Sequence, residues 1–263
     1  MPPPSPVLPA VLTALSLSMI ALSPFLASAS PSPYRQGVAA FESGDDATAR
    51  VALAGVDART EPHAVYLLGV LAERRKAYAE AVIRFTSYLA SVPAGSDLVP
   101  SARAHQAYCL AAGGRYAMAA SLLAASGSRP TDRATTLLLG YADLILCRRQ
   151  ADAPGRRAAA ARAEARFGAV PNDAEALNGR GLARLALARP REAAEDFHRA
   201  GALAPRVTFF MNEGQARQEA KEFAAARTAY RRAADLAPES DPLHAKAMRA
   251  LGHLTDLEAT GTK

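Results

Sequence analysis

Five histidines (His63, His105, His198, His244 and His253) and two cysteines (Cys109 and Cys147) are the side chains here best suited to bind a metal or attack a substrate. The histidines lack the paired spacing of zinc ligands. There is no nucleophile elbow, no phosphate-cradling glycine loop and no Cys-x-x-Cys. Gly113-Gly114 reads as a turn between two helices, and His198, beside Arg199, reads as solvated surface. No catalytic residue, metal site or cofactor is expected. Function therefore falls to surfaces, and to the elements that shape them.

The chain has 263 residues and a mass of 27.5 kDa; half of it is hydrophobic, aromatics are 6%, and tryptophan is absent. Most of the apolar content is Ala and Leu, which favours helix. Gly and Pro fall mostly between apolar runs, where they punctuate. The net charge is +6 and the pI about 9.6. Arg and Glu alternate, as in Arg191-Glu192 and Glu195-Asp196-Phe197-His198-Arg199, giving a mixed-sign surface without the clustered positive face that nucleic acid needs. The basic balance suits steering of an acidic partner.

No charged side chain precedes Arg35. Pro9 and Pro24 bracket a 14-residue apolar run, Ala10 to Ser23. That is short of the roughly 20 residues of a membrane-spanning helix. Ala27-Ser28-Ala29 supplies a small-x-small cleavage pattern, so residues 1–29 read as a signal peptide and 30–33 as a Pro/Ser linker. An uncleaved anchor is the alternative, if the run extends from Val7 to Ala27. Both place the rest of the chain outside the cytoplasm, periplasmic or secreted after cleavage near Ala29. Two cysteines fit an exported protein that does not depend on disulfides. Both read as small buried residues inside helices, with a Cys109–Cys147 bridge as the other possibility.

The strongest pattern is a repeat. Gly181 and Gly214, Ala193 and Ala226, Phe197 and Tyr230, Ala200 and Ala233, and Pro205 and Pro238 all lie 33 positions apart. Such a period means stacked units. Each unit reads as two amphipathic helices joined by a turn. The first runs from about Asp173 to Ala188, with Asn172 as its expected N-cap. Pro190 opens the second, Ala193, Phe197 and Ala200 form its stripe, and Pro205 ends it. A small residue at the crossing admits close approach, and an aromatic fills the space it leaves. Neither helix pair buries its outer face alone, so neighbours must stack.

These positions resemble the tetratricopeptide repeat (TPR) family. Leu177, Gly181, Ala193, Phe197, Ala200 and Pro205 match its pattern, as do Phe210, Gly214, Phe223, Ala226, Tyr230, Ala233 and Pro238. Leu68-Gly69, Tyr78, Ala81, Phe85 and Pro93 match again, with Tyr88 in place of the late Ala. Gly37, Gly44, Ala49 and Leu53 form a weaker first unit. Ala107, Tyr116, Ala119 and Leu123 form a third, and Leu139-Gly140 opens a fourth. Met248, Leu251 and Gly252 look like the start of a cap. The resemblance implies an all-α, right-handed superhelix of stacked antiparallel helix pairs, an α-solenoid of about six repeats plus a C-terminal capping helix over residues 34–258. A disordered tail, 259–263, follows. Repeat-length bookkeeping puts extra residues in two linkers, around Ala94 to Val99 and around Arg149 to Pro154.

In this family the first helices line a groove. Carried across, its contact positions are Tyr66, Val70 and Glu73, then Tyr108, then Asn178, Leu182 and Leu185, then Met211, Gln215 and Gln218, with Arg249 and His253 on the cap. Exposed Tyr, Met and Leu beside amides suit an extended or helical peptide. The Lys/Asn carboxylate clamp of some family members is absent. The resemblance implies a non-catalytic scaffold that binds a protein or peptide partner in the bacterial cell envelope, in pilus assembly, secretion or exopolysaccharide export. Membrane contact is expected only if the N-terminal segment stays uncleaved. The alternatives are polysaccharide binding through Tyr66, Tyr108 and Arg-rich faces, and a cytoplasmic regulatory or RNA-binding role.

Overall fold

The computed structural model describes residues 32–125, 132–150 and 152–259. The stretch expected to be a signal peptide, most of the expected linker and nearly all of the expected tail lie outside them. The described residues form thirteen α-helices and no strand. They fall into two compact units, residues 32–142 and 143–259. The first unit holds α1 (Pro33–Ser43), α2 (Asp46–Ala54), α3 (Pro62–Arg74), α4 (Tyr78–Ser91), α5 (Val99–Ala112), α6 (Tyr116–Ala125) and the start of α7 (Arg133–Arg149). The second holds the rest of α7, α8 (Ala153–Gly168), α9 (Ala174–Ala186), α10 (Pro190–Leu203), α11 (Val207–Glu219), α12 (Phe223–Leu236) and α13 (Pro242–Ala259). Among the described helices, α1 packs with α2, α3 with α4, α5 with α6, α9 with α10 and α11 with α12, Asp143 joins α7 to α8, and α13 packs on α12 as a capping helix.

Five of the turns inside pairs share one geometry. The residue seven positions after the crossing-point Gly or Ala is left-handed: Gly44, Lys76, Gly114, Ala188 and Lys221, with φ between 57° and 82°. The next residue's N–H then bonds five residues back, as in Ala77 to Ala72, Arg115 to Leu110 and Arg189 to Arg184, at 2.8–2.9 Å. This is the Schellman closure of a helix C-terminus. It reverses the chain in two or three residues and so aligns each second helix against its first.

The crossing itself obeys a 16-residue rule. A Cβ built on Gly181 would lie 2.6 Å from the Phe197 ring, one on Gly69 2.8 Å from Phe85, and one on Gly214 2.5 Å from Tyr230. Real Cβ atoms do not approach that closely, so the ring needs the glycine. Ala107 and Leu123, both buried, stand at the same separation on α5 and α6. There a larger first residue meets a smaller second one. Ala81, Ala193, Ala200, Ala226 and Ala233 are fully buried along the second helices, and Pro93, Pro205 and Pro238 each fall two residues beyond a helix end.

Three local expectations change. Asp173, not Asn172, caps α9, accepting from the Ala176 N–H at 2.8 Å. The first stretched linker is real, a seven-residue connection between α4 and α5, but the second is not a loop. Only residues 150–152 separate α7 from α8, and the extra length lies in the helices, 17 and 16 residues against 13 or 14 in α9 to α12. The alanine run at 158–161 extends helix at little cost, with Asp152 capping its start. In α13, Ala247 and Leu254 enter the core beside Phe210, Met211 and Tyr230, Leu251 is half-buried, and Met248 is exposed.

Candidate partner-binding surface

The first helices carry the positions expected to meet a partner, and packing has already claimed half of them. In the first unit, Tyr66, Val70 and Glu73 on α3 are buried rather than exposed. The cause is α5, which closes over α3 and α4. The Tyr66 ring sits edge-on to Phe85 and His105, and its hydroxyl shares a 2.9 Å hydrogen bond with Ser101 on α5. Burial pushes the Tyr66 phenol up to about 12. Glu73 turns inward to a polar node between α3 and α5: its Oε2 lies 2.8 Å from His105 Nδ1 and accepts from the Cys109 thiol at 3.1 Å. The Phe85 ring stacks on His105 at 5.2 Å. Tyr108 is half-buried, edge-on to Tyr78 at 6.3 Å.

The node has the residue types of a nucleophilic site but not its geometry. The thiol faces a carboxylate, and burial together with that carboxylate pushes the Cys109 thiol far up. A thiolate nucleophile needs the opposite environment. Both cysteines are free and buried, so the unbridged reading holds. No group of His, Cys, Asp or Glu among the described residues is arranged to hold a metal ion.

In the second unit, Asn178, Leu182 and Met211 are buried, again against the expectation of exposure. Asn178 Oδ1 accepts from Asn212 Nδ2 at 2.9 Å, so two first helices exchange an amide bond across successive repeats. Met211 belongs to the core that α13 covers. Leu185, Gln215 and Gln218 are half-buried. Gln215 donates to Glu219, and Gln218 accepts from the Tyr230 hydroxyl at 3.1 Å. Arg249 and His253 are exposed on α13. His198, expected on the surface, is about half exposed and faces Glu213 on α11 at 3.1 Å.

A lattice of ion pairs went unread in the sequence. Asp143 on α7 accepts from Arg162 and Arg166, and Asp196 on α10 accepts from Arg180 at 2.5 and 2.9 Å and pairs with Arg184. Glu164 on α8 takes Arg184 and Arg189, while Arg206 reaches back to Glu175. One signal was present: Arg180 and Asp196 are 16 residues apart, the same separation as Gly181 and Phe197 beside them. The alternating charges are therefore partly structural. They join each helix to its neighbours rather than forming a free basic face.

No family model matches the chain, and no curated protein matches it. Solved structures do. The assembly chaperone of RpL4, Acl4 (residues 1–338), superposes with a TM-score of 0.56 at 16% identity, covering 87% of this chain and 98% of that one. A tetratricopeptide repeat protein from Parabacteroides merdae gives 0.41 at 14% identity over 85% and 97%. The TPR2AB domain of yeast Sti1, solved with an HSP90 peptide, gives 0.33 at 14% over 85% and 97%. Thirteen helices among the described residues, three of whose pairs cross at a glycine under an aromatic ring and five of whose pairs close by a Schellman turn, make this an all-α solenoid with a tetratricopeptide-repeat-like fold.

Proposed function

We propose that the chain is a non-catalytic scaffold of the bacterial envelope that binds a partner protein or peptide along its first helices, serving assembly or export there. The observation that carries the reading is the stacking itself. The repeated glycine, alanine and aromatic positions of these repeats are spent on packing, and what remains on α9 and α11 is a half-buried set of mixed character, Leu185 with Gln215 and Gln218. Apolar anchors beside amides suit a polypeptide. The structurally similar Acl4 is an assembly chaperone for another protein, which agrees with such a use of this fold. The export half of the proposal rests on the uncharged apolar run and Ala27-Ser28-Ala29. A glycan-binding role is less well supported, because Tyr66 is buried and bonded to Ser101.

A photo-crosslinking side chain placed at Leu185 or Gln215 in cells tests the binding surface. The expected result is a defined adduct with an envelope protein, on a chain whose N-terminus begins near Ser30. Absence of any adduct removes the binding surface, and an unprocessed chain in the cytoplasm removes the envelope.

A further inference from the structure

Between α7 and α8 the charges stop alternating in sign. Residues 147–157 hold four arginines, Arg148, Arg149, Arg156 and Arg157, against one carboxylate, Asp152. All four arginines are exposed. The fold gathers them at one corner of the second unit. Arg148 and Arg149 end α7, only residues 150–152 intervene, and Arg156 and Arg157 lie in the first turns of α8. Arg156 Nη1 reaches back to donate to the Gln150 carbonyl at 3.3 Å. Burial raises the Cys147 thiol, and Arg148 and Arg156, one from each helix, pull against it, so the two cations flank one sulfur. The acids around the corner leave it basic. Asp152 is one charge against four, and its carboxylate caps α8 by accepting from the Gly155 N–H at 2.6 Å. Asp143 is buried and holds Arg162 and Arg166, and Glu164 holds Arg184 and Arg189.

We infer that the α7–α8 corner, Arg148 and Arg149 with Arg156 and Arg157, docks a short acidic segment of a partner polypeptide. Guanidinium forks match carboxylates two bonds at a time, and a cluster of them selects for charge. The size of the corner decides between anions. A nucleic acid or an acidic polysaccharide carries charge along its whole length. Beyond the corner, α8 to α10 return to mixed sign, with Glu164, Glu192 and Glu195 among the arginines. A continuously charged polymer meets repulsion there, where a short acidic segment has already ended. Residues 147–157 also carry no aromatic side chain on which a base could stack. The corner uses none of the residues of the α9 and α11 surface, and the inference stands without that surface.

The probe is a dye-labelled oligoglutamate peptide titrated with the full chain. It should bind at low salt, and about tenfold more weakly at physiological ionic strength. Arg149→Glu with Arg157→Glu should weaken binding by about tenfold or more, with helix content and melting temperature unchanged. Arg231→Glu with Arg232→Glu, at exposed positions on α12, makes the same change in net charge elsewhere and should leave binding within about twofold. Arg157→Gln alone removes one charge from an exposed position and should weaken binding by a smaller factor; it carries the test if the double exchange disturbs folding. No binding by the parent at low salt overturns the inference. Equal loss from the two double exchanges overturns it too, since net charge alone then draws the peptide. So does tighter binding of polygalacturonate or duplex DNA than of the peptide, lost with Arg149→Glu and Arg157→Glu, which would assign the corner to a continuous polyanion.

Discussion

Asp143 and Glu164 each accept hydrogen bonds from two arginines, yet their carboxyls move in opposite directions. The Asp143 side chain is wholly buried, and burial raises its carboxyl above the usual range against the pull of Arg162 and Arg166. Glu164 remains 20% exposed. Burial raises it less, and the hydrogen bonds from Arg184 and Arg189 outweigh burial and hold it low. Opposite signs of stability follow by linkage. Between the ordinary carboxylate value and the raised value of Asp143, the folded chain keeps a proton that the unfolded chain has lost, so this term falls as pH rises. Glu164 contributes stability that is fully present above its unfolded value and is lost as pH falls through its lowered folded value. Urea unfolding of Asp143→Asn and Glu164→Gln against the parent, from about pH 3 to 6, checks both signs. The parent's margin over Asp143→Asn should shrink as pH rises, and its margin over Glu164→Gln should grow. Two margins running in the same direction would refute the assignment.

At the scale of the helix pair, the turn is more uniform than the residues in it. Five turns place a left-handed residue at the same register, but only Gly44 and Gly114 are glycine; Lys76, Ala188 and Lys221 hold φ of 57° to 62° with a Cβ attached. That conformation costs an L residue roughly 1–2 kcal/mol, partly offset because glycine loses more entropy on folding, about 0.5–1 kcal/mol. Ala188→Gly should therefore stabilise the chain by about 0.5–1 kcal/mol, read as a higher urea midpoint, and Gly114→Ala should destabilise it. This bears on what the sequence discloses. The crossing rule was legible because Gly181 with Phe197 and Gly214 with Tyr230 are unusual residues at a fixed spacing. The turn register was not, because lysine and alanine carry no turn signal; the backbone closure forces them into it. Exposure at the binding surface was hidden for a related reason. Whether Tyr66, Asn178 or Met211 faces solvent depends on how the next repeat lands, on Ser101, on Asn212 and on α13 respectively. No single unit contains that information. Leu185 and Gln215 are half-buried.

Within each unit, the substantial contacts run from a helix to the next or the next but one, as from α3 to α4 and α5, from α9 to α10 and α11, and from α11 to α12 and α13. Stability in such an array is a sum of repeat and nearest-neighbour terms. Damage at one crossing should therefore spread one repeat in each direction and fade. Gly181→Leu is the direct test, because its side chain must displace the Phe197 ring, which is fully buried. The expected loss is about 1–3 kcal/mol, the range for an overfilled core site. Hydrogen exchange locates it. Amides of α9 and α10 should lose protection most, those of α8 and α11 less, and those of α1 to α4 not at all. Uniform loss across all thirteen helices would show that the chain unfolds as one cooperative body, and the nearest-neighbour description would fail. An unchanged midpoint would show that the ring yields without cost and that Gly181 does not set the crossing.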